Sequence, residues 1–343
     1  MDLGAHLRER HMRARAVMQA IAGCGLTMEL SGPARLQLCE HAEKLAAAAA
    51  LWEHQDRLWA SGDAAPSLLH NLAAAFLTSI GCQSNDPLRT FLRHHVAAIG
   101  DLLAQLRGQL PGSSRDIDSA RVAAFEASRI AHAALQPALA YRADHMRLYA
   151  VEGVLPAERW TSRAAVADLL VQHVEGMYNL CRDVSRSHCA AIYARIDAAA
   201  LPGDPAPASS STTADSRLDI FDDAVGAPLP PAVPPPDGDP YASPPALLRA
   251  ALDLIPALAS VCCCVLADRI DCLQQTRPAD AHALARRYDA VRPRFLMCLA
   301  TLGRAPDAFR LADEHGDMRS LVALVFAADR GNAAARLRTY TQR

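Results

Sequence analysis

Ten cysteines and thirteen histidines are the side chains best equipped for chemistry in this chain of 343 residues, and their spacing decides what they can do. Cys262, Cys263, Cys264 and Cys272, or Cys181 with His188 and Cys189, carry the sulfur and imidazole ligands that a zinc ion takes. Consecutive residues on a helix point about 100 degrees apart, so the Cys triple cannot converge on one ion. No Cys-x-x-Cys pair completes a four-ligand set. The expectation is that these small, polarizable thiols fill a helical core. His94 and His95 lie in FLRHHVAAIG with no carboxylate at ligand spacing and are expected on the surface. A nucleophilic pairing of Cys39 with His41 fails because residues two apart on a helix do not face each other. There is no glycine-rich phosphate loop, Gly-x-Ser-x-Gly elbow or paired-carboxylate motif. The residues thus predict no catalytic site, cofactor, metal or small-molecule substrate.

The elements that must carry these residues read as helices. Leu38, Ala42, Leu45, Ala49 and Trp52 recur at spacings of four and three, which places them on one face, with Glu40 and Lys44 as an outward pair in the favourable order. Val166, Leu169, Leu170, His173, Met177 and Cys181 repeat the pattern, with Thr161 or Ser162 as the N-cap and Trp160 folding back on the first turn. Breaks are expected at Gly32-Pro33, Ser61-Gly62-Asp63, Asn85-Asp86-Pro87 and Pro111-Gly112. No run alternates apolar and polar β-formers, so the chain is predicted to be all-α. Helical hairpins in series stack into a solenoid or a bundle, and the sequence favours an irregular solenoid without a fixed repeat length. It is expected over residues 5–200 and to continue over 246–343.

Between these parts lie residues 201–245, where 12 of the 22 prolines fall and no helical or strand period survives. This Pro-, Ser- and Asp-rich stretch is predicted to be a disordered linker, with LDIFDDAV, Leu218 to Val225, as its one apolar island. The net charge of −2 and the scatter of the basic residues give no footprint for direct nucleic-acid or anionic-lipid binding. No uninterrupted apolar run reaches the roughly 18 residues of a membrane span, and the N-terminus lacks a secretory pattern. No transmembrane segment and a reduced compartment for the thiols are therefore expected.

The closing stretch DAFRLADEHGDMRSLVALVF, residues 307–326, reads as a helical hairpin. Pro306 suits a first turn, Gly316 the left-handed position that ends a helix, and Asp317 the next N-cap. Ala308, Leu311 and Ala312 then face Leu321, Leu324 and Val325 across the turn.

Three passages, in order, carry a resemblance to a known family. They are ARLQLCEHAEKLAAAAALWEHQDRL from Ala34, LPAERWTSRAAVADLLVQHVEGM from Leu155, and the closing hairpin with the RLRTYTQR that follows. Together they resemble the helical region of the outer-ring (Y-complex) scaffold nucleoporin named for a mass of one hundred and thirty-three kilodaltons. The residues that carry the structural motif are Leu38, Leu45, Trp52, Trp160, Leu311, Gly316, Leu321 and Leu324. The resemblance implies a non-catalytic scaffold of the nuclear pore at the nuclear envelope, supporting transport of mRNA and protein. Its partners would be other Y-complex nucleoporins. The family's β-propeller has no counterpart here, and its last helices, which dock onto the stem neighbour, are expected to lie beyond Arg343. Related inner-ring nucleoporins and an unrelated α-solenoid adapter are the alternatives.

Overall fold

The computed structural model describes residues 2–24, 31–60, 67–106, 117–149, 159–199 and 244–328. Among them there is no strand, and the all-α expectation holds. The first helix, α1 (Leu3–Gly23), opens on Asp2, whose carboxylate accepts the Gly4 N–H at 2.9 Å and so caps the first turn. Helix α2 spans Gly32–Ala60. Ser31 precedes it and Gly32-Pro33 forms its first turn, so the expected break lies one residue earlier than the dipeptide. Next come α3 (Leu68–Ser79), α4 (Pro87–His94), a 3-10 turn at Val96–Ala98, α5 (Ile99–Ala104), α6 (Ile117–Asp144) and α7 (Met146–Tyr149). Asp86 caps α4 with Pro87 as its first residue, as the Asn-Asp-Pro signal predicts.

A 3-10 turn at Trp160–Ser162 leads into α8 (Ala164–Ala199). Helices α9 (Pro244–Thr276), α10 (Pro278–Thr301), α11 (Ala305–Glu314) and α12 (Met318–Ala328) complete the described chain. The predicted linker thus ends earlier than expected, because Pro244 and Pro245 start α9, where a missing N–H costs nothing. The rest of it, with the Leu218 to Val225 island, lies outside the described residues, as do the breaks at Ser61-Gly62-Asp63 and Pro111-Gly112.

The chain divides into two compact units, Met1–Val174 with Ala257–Asp289, and Glu175–Pro256 with Ala290–Arg343. Each draws on chain from both sides of residues 200–243. In the first unit α2 is the central element, packed on α1 and α6. The pairings Arg8 with Glu53, His11 with the Ala42 carbonyl and Met18 with Cys39 run in opposite order along α1 and α2, so the two are antiparallel. His54 with Glu126 and Glu43 with Arg142 show the same for α2 and α6. A Cβ at Gly4 would lie 2.9 Å from Trp52 Cδ1, so only glycine lets α1 approach this closely. Phe76 of α3 meets Phe91 of α4 edge to face at 5.2 Å.

With neighbours on two sides, α2 buries more than one stripe. Leu45 and Trp52 are buried as expected, whereas Leu38 is 37% exposed and Cys39 takes the buried position beside Met18 and Leu148. The apolar period of four and three therefore starts one residue too early, because near its N-terminus α2 turns its buried side towards Met18 and Leu148. The Glu40–Lys44 pair forms at 2.6 Å, but the lysine side chain lies largely covered rather than outward.

Helix α9 bears on the expectation that no segment spans a membrane. Over Pro245–Thr276 it is long and apolar enough to cross a membrane, with an 18-residue window of mean hydropathy 2.2. A search for an uninterrupted run stops at Asp253, whereas the mean over the window does not. Of that window 56% is buried inside the fold.

In the second unit the closing hairpin is as expected. Gly316 adopts φ +61°, and Ala308, Leu311, Ala312, Leu321, Leu324 and Val325 are all buried between α11 and α12. Asp317 caps α12, accepting from the Ser320 N–H at 3.0 Å and the Ser320 hydroxyl at 2.7 Å. Arg292 of α10 donates to the same carboxylate at 2.8 Å and fastens the hairpin to its neighbour.

Candidate functional site

The largest concentration of buried polar chemistry lies in the first unit and centres on Glu43. This residue follows Cys39 by one helical turn, so the side of α2 that buries the thiol also buries the carboxylate, whose side chain is 1% exposed. A buried carboxylate must be paired and hydrogen-bonded to keep its charge. Four donors meet it. Its Oε1 accepts from Arg142 Nε at 2.9 Å and the Tyr149 hydroxyl at 2.6 Å. Its Oε2 accepts from Arg142 Nη2 and Trp160 Nε1, both at 2.9 Å.

The arrangement extends through Arg142. Its Nη2 also donates to the Thr161 hydroxyl at 2.7 Å, and its Nη1 donates to Asp268 of α9. Arg159 lies 3.9 Å from the same Asp268 oxygen, and its guanidinium sits 5.1 Å from the centre of the Tyr149 ring. One carboxylate and one guanidinium thereby tie together α2, α6, α7, the 160–162 turn and α9. Beside them is a cavity of about 400 Å³, apolar at Leu139, Ala143 and Met146 and polar at Arg159 and Asp268.

Electrostatics fix the protonation states. Burial works against the Arg142 charge, but its hydrogen bonds to Glu43 and the charges of Glu43 and Asp268 more than offset this, and the group stays cationic. Burial, then the charge of Glu43, pushes the Tyr149 phenol well above its ordinary value. The same two causes raise the Cys39 thiol to about 11, so it is not a thiolate near neutral pH. With its lone pairs occupied Glu43 has none left for a substrate, and the Tyr149 proton is already directed at Glu43. The chemistry of this arrangement is to hold helices together.

Two smaller polar contacts lie in the same unit. His54 Nε2 donates to Glu126 at 2.7 Å. The Ser128 hydroxyl donates to the Ala124 carbonyl at 2.9 Å, so it accepts from His173 Nδ1, 3.0 Å away, and the proton is assigned to that nitrogen. His173 Nε2 has no hydrogen-bond partner among the described residues. Desolvation lowers the His173 pKa to about 4.

The residues singled out by sequence fall into three groups. Trp160 is buried and belongs to the Glu43 arrangement, while Thr161 and Ser162 form its 3-10 turn instead of capping α8. The helix starts at Ala164, one or two residues later than expected, and the Thr161 hydroxyl is used by Arg142. Leu45 and Trp52 line α2, and Leu311, Gly316, Leu321 and Leu324 build the hairpin of the second unit. Cys181, Cys262, Cys263 and Cys272 are buried, as the core reading expects, and Cys264 is half-buried. His94 is exposed, but His95 is partly covered and stacks on Phe91, since α4 ends at His94. His188 and Cys189 lie outside the residues whose side chains are described.

Glu43, Arg142, Tyr149 and Asp268 were not found by sequence. The available signal was an acid at position 43, flanked by Ala42 and Leu45, whose helical position coincides with that of Cys39 and Ala47 one turn away. No family model matches the chain, and no curated protein matches it.

Proposed function

We propose that this chain is a non-catalytic helical scaffold of the nuclear pore, of the Y-complex kind that its sequence resembles. Its work is to bury helix faces in a long, irregular solenoid and to present edges to other scaffold nucleoporins. One observation supports this most. The three passages that carry the resemblance also supply the buried framework. Glu43 lies in the first, Trp160 and Thr161 in the second, and the Gly316 turn with the Asp317 cap in the third. A scaffold depends on residues that fix the geometry of its helices, and these hold the helices around them. The polar groups of the first unit support a structural role as well, because the donors and acceptors around Glu43 are directed at one another.

The test is to tag the protein at its own locus and image it. A punctate nuclear rim is the expected result. A distribution over vesicles or the bulk cytoplasm would favour an α-solenoid adapter of another kind.

A further inference from the structure

The first unit is assembled from two stretches separated in sequence, 1–174 and 257–289. The second stretch contributes a buried apolar face in which Leu258, Cys262, Cys263 and Val265 are fully covered and Leu266 nearly so. Three polar ties fix its register. Asp268 accepts from the buried Arg142, Arg269 Nη1 donates to the Ser162 carbonyl at 2.7 Å, and Arg287 Nη1 donates to Asp168 at 2.8 Å. The first two are adjacent on α9 and reach the elements around Glu43, so they read position along the helix as well as charge.

We propose that residues 1–174 form an acceptor surface for the 257–289 helices, and that this recognition does not depend on the covalent connection between them. Asp268 is the residue that sets its register. The interface combines an apolar core with a charge contact at one place, between the buried Arg142 and the partly exposed Asp268. Residues 200–243, rich in proline and poor in apolar side chains, supply little that an apolar interface could use. Cleavage within that stretch would therefore leave the unit assembled, and two separate polypeptides could form it. This inference is independent of the nuclear-pore reading.

The experiment uses the full chain with a specific protease site inserted between Ser210 and Ser211. After folding, the chain is cut, and maleimide labelling of Cys262 and Cys263 is followed by mass spectrometry of their peptides. Both thiols belong to the first unit, and because the second unit also draws on both sides of the cut, the Asp268 and Arg269 variants are what assign the protection to the first unit's own contacts. Labelling in the cut chain is expected within about twofold of the uncut chain. Asp268→Asn should leave the uncut chain protected but raise labelling of the cut chain about tenfold, as loss of a charge-assisted contact implies. Arg269→Ala, which removes the bond to the Ser162 carbonyl, should act in the same direction. Rapid labelling of the cut wild-type chain would overturn the proposal. Equal labelling of cut wild type and both cut variants would overturn the role of Asp268.

Discussion

A carboxylate enclosed at position 43 is held by donors from three other elements, and each depends on the others being in place. Removing one partner of a buried ion pair leaves an uncompensated charge, which typically costs about 3–5 kcal/mol. Removing one neutral donor to a charged acceptor costs about 1.5–3 kcal/mol. Glu43→Leu is therefore expected to lower stability about twice as much as the loss of one hydroxyl donor in Tyr149→Phe, measured by urea unfolding. Equal losses would mean that Glu43 is only one packing residue among many. His173 gives a second residue-scale test. Its pKa is about 4 in the fold and 6.5 when exposed, so between those values the unfolded chain binds a proton that the folded chain refuses. Stability is thus lost as pH falls from about 6.5 to about 4, by about 3 kcal/mol in total. Unfolding midpoints across that window should fall less steeply for His173→Leu than for wild type. Parallel curves would show that the imidazole finds a partner when charged.

Among the elements, the α11–α12 hairpin was the most legible and α2 the least. Pro306, Gly316 and Asp317 act locally, through backbone angles and capping, and local rules can be read from a sequence. Leu311 and Leu321 are both buried across that turn, so Leu311→Asp should place an unpaired charge in the hairpin and cost several kcal/mol. Wild-type helicity and proteolytic resistance in that variant would contradict the inner-face assignment. Helix α2 is harder because its buried side is set by α1 and α6, not by its own period. Leu38 is exposed for that reason, and Glu43, Gln55 and His54 are buried. Their partners are far away in sequence. Arg142 lies 99 residues from Glu43, and no local pattern links the two. The helices also run through Pro137, Pro256 and Pro293, each of which removes a backbone donor. Packing on their neighbours outweighs the lost hydrogen bond at each.

For the whole molecule, the pattern of burial matters more than any one group. The all-α class followed from periodicity, whereas the composition of the first unit from two separated stretches did not, because nothing local in α9 announces Arg142 as its partner. A scaffold reading asks that such a body hold other proteins at fixed positions, and that claim is tested most directly by what the protein is bound to in its own cells. The measurement is quantitative mass spectrometry of complexes recovered with the protein tagged at its own locus. Near-stoichiometric recovery of other Y-complex nucleoporins is predicted. Recovery of vesicle-coat or proteolysis machinery in comparable amounts, with nucleoporins at background, would contradict the account.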